Sequence, residues 1–171
     1  LFTALALGFS IGAGVLVAQY FGAQKLDEVR RIASTSIVLF LALGAGMSVL
    51  GVVLTRPLLA GLLQTPEALL EMAVTYFMIY AAGLIFQFGY NIAAAILRAI
   101  GDSKATLYFL FASSLLNVVL DLLLVAVVKM GVAGAAVATV ISQLLSCVLS
   151  FWYMHKKYEF LRFSPRELRF E

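Results

Sequence analysis

The chain alternates between long apolar runs and short segments that hold almost all of its charge. About 20 consecutive apolar residues in a helix cross the hydrocarbon core of a bilayer. The fourth run is uncharged except for one residue, Asp121. The pattern therefore predicts five transmembrane helices, at about residues 1–24, 32–55, 72–97, 105–128 and 130–154.

The composition agrees with this pattern. Hydrophobic residues make up 63% of the chain, charged residues make up 12%, and the mean hydropathy is +1.04. Soluble domains carry about 25% charged residues. We therefore expect an all-α polytopic membrane protein, with a transmembrane bundle over residues 1–154 and a link over residues 155–171. The one cysteine, Cys147, has no partner for an internal disulfide and is read as a packing residue.

The basic residues are distributed unevenly between the two ends of the predicted helices. Ten of the twelve fall in the segments 25–31, 98–104 and 155–171, and only Arg56 and Lys129 lie at the other end. The positive-inside rule places the three basic segments in the cytoplasm, with the bundle in the plasma membrane. This topology and contact with membrane lipid explain the net charge of +3 without nucleic acid.

The predicted orientation puts the N-terminus outside the cell. We expect one further helix before residue 1, because the first run lacks a signal-peptide pattern. At the other end, residues 164–167 (SPRE) have the form of a capping box that begins a new helix. The chain is accordingly expected to be a fragment of a longer protein.

Polar side chains inside the apolar runs are the candidate chemistry. Ser113, Asn117 and Asp121 form one stripe on the fourth helix, and the fifth helix carries Thr139 and its neighbours Ser142 and Gln143. An Asp at mid-membrane costs about 2.5–3.5 kcal/mol on insertion scales, so a use for it is expected. The oxygens of Asp121, Asn117 and Thr139 suit Na⁺, and a buried carboxyl also suits H⁺. Alternatively, a protonated Asp121 only ties helices together.

The third helix carries a second set of polar candidates. Gln87 and Asn91 are one turn apart on one face, and they face either a wet cavity or a hydrogen-bonding neighbour. Tyr76, Tyr80 and Phe86 are weaker candidates for a substrate cavity, because aromatic faces attract cations and flat molecules.

The remaining motifs are structural. Gly8 and Gly12 form a GxxxG step that favours close helix packing. Gly101 and Asp102 are expected to end one helix and cap the next. The sequence offers no Cys/His cluster, no phosphate-binding glycine loop and no nucleophile with a base. It indicates no enzyme and no cofactor beyond a coupling ion.

Four stretches resemble the multidrug and toxic compound extrusion (MATE) family, in its bacterial and archaeal branch. They are residues 14–22 (GVLVAQYFG), 94–102 (AAILRAIGD), 117–121 (NVVLD) and 131–139 (GVAGAAVAT). The resemblance implies a fold of the MOP superfamily, with twelve helices in two six-helix lobes. This chain resembles helices two to six of the N-terminal lobe. Helix one and the C-terminal lobe would then be its missing partners.

The resemblance also implies a function. Proteins of this branch export small organic compounds, cationic and aromatic, in exchange for Na⁺ or H⁺. Asn117, Asp121 and Thr139 fall on the cation-site positions of the N-terminal lobe, and Asn91 falls near them. Two alternatives stay open: a lipid-linked oligosaccharide flippase of the same superfamily, and a structural membrane subunit that does not transport.

Overall fold

The computed structural model describes residues 2–62 and 66–161, and it contains no strand over these residues. Two π-helical turns follow α2 and α5, at Leu58–Leu62 and Leu122–Val127, and a 3₁₀ turn covers Glu159–Leu161. The all-α prediction is confirmed. The α-helices are α1 (Phe2–Gly22), α2 (Leu26–Pro57), α3 (Glu67–Ala82), α4 (Leu84–Ala99), α5 (Ser103–Asp121) and α6 (Val132–Lys157).

Each predicted span overlaps one of these helices, except the third, which overlaps both α3 and α4. By length and composition, three segments of the described chain can each cross a membrane, namely Leu26–Gly61, Ser103–Val127 and Val132–Lys157. The bent pair α3–α4 makes a fourth span when it is counted as one, and the apolar helix Leu7–Gly22 is shorter. The predicted link beyond Leu161, with its capping box, lies outside the described residues.

The third predicted helix differs from expectation, because it is broken at Gly83 with a bend of 41°. A break inside a membrane frees backbone groups that need new partners. Ser48 of α2 supplies them: its hydroxyl accepts the N–H of Ile85 at 3.2 Å and donates to the carbonyl of Ala82 at 3.4 Å. A Cβ on Gly83 would meet Val140 of α6 at 2.6 Å, so the close approach of α6 at the bend needs a glycine.

The helix α4 lies at the centre of the bundle and packs on α1, α2 and α6. Its residues Ile92, Ala93, Ile96 and Leu97 are fully buried in the hydrophobic core. Glycines allow the close approach of neighbours, since a Cβ on Gly44 of α2 would lie 2.9 Å from the Cβ of Phe88. These contacts orient the polar face of α4 away from α2.

The GxxxG step of α1 does not make the expected contact with the described residues. A Cβ added to Gly8 or Gly12 would meet nothing within 4 Å, whereas one on Gly14 would lie 3.5 Å from the carbonyl oxygen of Ala95. The surface of α1 that packs on α4 is therefore a different one from the GxxxG face.

The two ends of the bundle are built differently. The loop before α2, the loop between α4 and α5, and the segment after α6 meet at one end, which we call the basic end. The α2–α3 and α5–α6 connections lie at the other, the far end, where Arg56 and Glu71 form an exposed ion pair at 3.2 Å. Gly101 (φ +90°) ends α4 at the basic end, as predicted.

Candidate functional site

A cavity of about 270 Å³ lies between α4, α5 and α6. All but one of its lining residues carry a polar group, and none of the described lining residues is charged. A polar cavity of this size inside an apolar bundle can hold several waters or part of an organic molecule. The lining residues are Gln87, Tyr90, Asn91, Leu110, Ser113, Ser114, Asn117, Thr139, Ser142, Gln143 and Ser146.

The cavity brings together four of the residues that were predicted to bind the coupling ion or the substrate. Gln87 and Asn91 come from α4, Asn117 comes from α5, and Thr139 comes from α6. Asp121 is half-buried one helical turn beyond Asn117, at the end of α5, and is not among the lining residues. The predicted polar faces of the three helices therefore meet at the cavity, and the carboxylate of Asp121 lies one turn further along α5.

The three aromatic residues predicted to form a substrate cavity lie outside the lining of this one. Tyr76 and Tyr80 stack on each other with ring centroids 6.2 Å apart, and neither they nor Phe86 line this cavity. Tyr80 touches it indirectly, because its hydroxyl donates to Oε1 of Gln87 at 3.3 Å. The place of these three residues in a substrate site remains a prediction.

Tyr90 and Ser146 line the cavity and were not singled out from the sequence. Each carries a signal that could have found it. Tyr90 lies three residues after Gln87, and Ser146 lies four residues after Ser142, so both continue a polar helical face. Tyr90 donates a weak hydrogen bond of 3.4 Å to the carbonyl of Thr106.

Two hydroxyl groups of the cavity donate their hydrogens to backbone carbonyls of their own helix, α6. Thr139 donates to the carbonyl of Ala135 at 3.0 Å, and Ser142 donates to that of Ala138 at 2.8 Å. A hydroxyl that donates to its own helix keeps its oxygen lone pairs available. Thr139 therefore presents an acceptor to the cavity, which is what a cation or a proton donor requires.

Three side-chain atoms in or next to the cavity are buried without a hydrogen-bond partner among the described residues. They are Nδ2 of Asn117, Oε1 of Gln143 and Oδ1 of Asp121. A buried polar atom left unpaired costs about 1–3 kcal/mol, so such an atom calls for a partner, for example a water or an ion. The stripe on α5 thus carries unused hydrogen-bonding capacity at two successive turns.

The described residues contain no group of three or more His, Cys, Asp or Glu that could hold a metal ion. A transition-metal centre of the Cys/His type is therefore not supported by these residues. A hard cation such as Na⁺ accepts oxygen ligands of mixed type, and Asp121 with Asn117 and Thr139 offers carboxylate, amide and hydroxyl oxygens.

Asp121 is also the residue at which α5 changes into its π-helical turn. Such turns are frequent at functional sites.

The unpaired amide of Asn117 leads to a prediction about stability. Replacing Asn117 with Leu should raise the melting temperature of the protein in detergent, because an orphaned donor worth about 1–3 kcal/mol disappears. The matched variant Gln87→Leu should lower it, because the hydroxyl of Tyr80 loses its acceptor. Thermal unfolding followed by tryptophan fluorescence measures both. A lower melting temperature for Asn117→Leu than for Gln87→Leu would contradict the assignment.

The family of the chain is decided by its similarity to known proteins. The sequence model of the MatE family matches residues 1–123, which is well over half of the chain. The chain belongs to the MATE family. The members of this family are transporters, and the apolar helices of the chain accordingly make it a membrane protein.

Individual relatives agree with the family assignment. A Bacillus subtilis protein named probable multidrug resistance protein YpnP is 35% identical over 166 residues, which is 96% of this chain and 37% of the relative. The chain therefore spans little more than a third of the length of this relative.

Two solved MATE structures share the fold. An inward-facing multidrug resistance MATE transporter of the MOP superfamily matches with a TM-score of 0.92 and 24% identity. An outward-facing one matches with the same score and the same identity. Each comparison covers 99% of this chain, and 39% and 38% of the two transporters respectively. The helix arrangement of the chain is thus that of a part of a MATE transporter.

Proposed function

We propose that this chain forms part of a secondary transporter that exports small organic compounds in exchange for Na⁺ or H⁺. In this proposal it is the larger part of the N-terminal lobe, and it works with a preceding helix and a second lobe. The transporter sits in the plasma membrane, with its basic end in the cytoplasm. Alternating access rocks the two lobes about a central cleft.

The observation that supports this proposal most is the polar, uncharged cavity beside Asp121. The cavity collects the amides of Gln87, Asn91 and Asn117 with the hydroxyl of Thr139, in a bundle that is otherwise apolar. A purely structural subunit has no need to gather this many polar groups around one cavity, where buried amide and carboxylate atoms lack a partner among the described residues.

In the proposed cycle, Asp121 binds the coupling ion and Asn117, Thr139 and Asn91 assist it. An ionised carboxylate can bind either Na⁺ or H⁺, and each of these ions cancels its charge. Loading and release of the ion therefore change the net charge of the cavity region by one unit. That change provides a free-energy difference between the loaded and empty states, which coupling requires.

The substrates proposed are small organic molecules, cationic or aromatic in character. Gln87 lines the cavity and is the first candidate for contact with the substrate. Tyr80 is hydrogen-bonded to Gln87, and we propose that it supplies an aromatic face to the substrate together with Tyr76 and Phe86. The flippase alternative is disfavoured, because recognition of a pyrophosphate calls for basic side chains and no described lining residue is Lys or Arg.

Transport by the native gene product that carries this chain tests the proposal. Proteoliposomes loaded with a fluorescent organic cation should release it when an opposing Na⁺ or pH gradient is imposed. An ionophore that dissipates the gradient should return release to the level of protein-free liposomes. Release that is the same with and without either gradient would count against ion-coupled export.

A further inference from the structure

The side chain of Asp102, between α4 and α5, gathers four donors at the basic end. Its Oδ2 accepts the hydroxyls of Tyr153 at 2.8 Å and Tyr158 at 2.6 Å, and the ammonium of Lys157 at 2.8 Å. Its Oδ1 accepts the backbone N–H of Ala105 at 3.4 Å. Only the last contact belongs to the predicted helix cap, which requires a single acceptor oxygen. The other three call for a separate explanation.

These contacts connect all three helices that wall the cavity. The backbone N–H of Asp102 donates to the carbonyl of Leu97 at 2.8 Å, which attaches the loop to the end of α4. Ala105 belongs to the first turn of α5, and Tyr153 belongs to the last part of α6. One residue, through its carboxylate and its backbone N–H, therefore links the basic ends of α4, α5 and α6.

The segment that leaves α6 is fixed at the same place. Tyr158 is its first residue, and the ring of Phe160 stacks on Phe21 of α1 with centroids 6.1 Å apart. Leu161 is buried in the hydrophobic core, and the 3₁₀ turn packs on α2. The chain thus leaves the bundle along a defined path, secured by the hydrogen bond of Tyr158 to Asp102.

The protonation states of Asp102 and Tyr158 do not change near neutral pH. Partial burial on its own would raise the pKa of Asp102, but the hydrogen bonds from Lys157, Tyr158 and Tyr153 outweigh burial and hold that pKa well below its usual range. Burial, together with the Asp102 carboxylate, raises the pKa of Tyr158 to about 12. Asp102 stays ionised and Tyr158 stays protonated, so the contact does not switch with physiological pH.

The far end of the bundle lacks a comparable fastening among the described residues. The π-helical turn Leu122–Val127 has no buried residue. The ion pair between Arg56 and Glu71 has side chains that are 68% and 73% exposed, whereas the side chain of Asp102 is 12% exposed. Exposed ion pairs contribute about 0–1 kcal/mol, which is too little to hold helices together.

We propose that Asp102 is a positioning residue for transport, acting through a clasp formed by Asp102, Tyr153, Lys157 and Tyr158. The clasp holds the basic ends of the cavity helices and the outgoing segment as one rigid unit, so that the cavity changes shape at its far end. This inference rests on the proposed function.

The variant Asp102→Asn tests the clasp in the native gene product, reconstituted in lipid. Asn is as good a helix cap as Asp but removes the charge that attracts Lys157. Amide hydrogen exchange between residues 153 and 161 should become about 10-fold faster, since hydrogen bonds to charged groups are stronger than neutral ones. The kcat of ion-driven export should fall several-fold while KM for the organic substrate stays unchanged. Tyr158→Phe, which removes one donor, should give a smaller change in the same direction.

The control is Glu71→Gln, which breaks the exposed ion pair at the far end and should leave both readouts unchanged. Unaltered hydrogen exchange in Asp102→Asn would overturn the clasp. Faster exchange with an unaltered kcat would overturn its role in positioning. Absence of ion-driven export in the unmodified protein would instead refute the proposed function. The exchange measurement needs no transport, so the two failures are distinguishable.

Discussion

Replacing Asp121 with Asn should reduce ion-driven export to the level of protein-free liposomes, while the protein still inserts and folds. Asn has nearly the same size and can hydrogen-bond, but it neither carries a charge nor takes up a proton at neutral pH. If the coupling ion binds at Asp121, the variant has no site that distinguishes the loaded from the empty state. Insertion should be preserved, because a neutral amide costs less in the membrane than a carboxylate.

The measurement is gradient-driven release of a fluorescent organic cation from proteoliposomes, with the amount of folded protein determined by size-exclusion chromatography. Asp27→Asn is the matched control. It makes the same chemical change at an exposed acid in the first turn of α2, and it should export normally. Export by Asp121→Asn at the unmodified rate would show that Asp121 only ties helices together.

Replacing Gly44 with Leu should unfold or aggregate the bundle, whereas the same change at Gly46 should be nearly neutral. A Cβ at position 44 would lie 2.9 Å from the Cβ of Phe88 and 3.0 Å from the Cα of Ile85, so α2 and α4 would have to separate. Overpacking a core costs about 1–3 kcal/mol even for small additions, and a Leu adds three carbons beyond Cβ. The expected loss is therefore at the upper end of that range or beyond.

Gly46 provides a strict comparison, because it lies two residues away on the same helix and a Cβ there would meet nothing within 4 Å. Both variants lose the same glycine flexibility and add the same side chain. The difference in melting temperature, measured in one detergent, isolates the packing of α2 on α4. Equal melting temperatures for the two variants would contradict the close contact at Gly44.

Most of the helical architecture follows from local chemistry. Apolar runs long enough to span a bilayer must form helices there, since the backbone hydrogen bonds have no other partners. The turn at Gly101 and Asp102 was also predictable, because a left-handed glycine followed by a capping carboxylate is a local signal. The break at Gly83 was not predictable in this way, because Ser48 of α2 satisfies it and Val140 of α6 limits the space.

The candidate site was predictable in part. The spacing of four residues placed Gln87 with Asn91, and Asn117 with Asp121, on single helical faces. Spacing cannot tell which faces meet. The packing of α4 between its neighbours decides that Gln87, Asn91, Asn117 and Thr139 share one cavity, and that Tyr90 and Ser146 join them. The same packing keeps Tyr76 and Phe86 away from the cavity wall.

Sequence alone determined that this protein is a helical membrane protein, which residues are polar inside the apolar runs, and where the charged segments lie. Those properties depend on composition and on spacing within one helix. Tertiary structure decided where the helices bend, which polar faces form the cavity, and what Asp102 holds. The hydroxyls of Tyr153 and Tyr158 reach the Asp102 carboxylate from positions more than 50 residues away in the chain, so only the packing of α6 against α5 could bring them together.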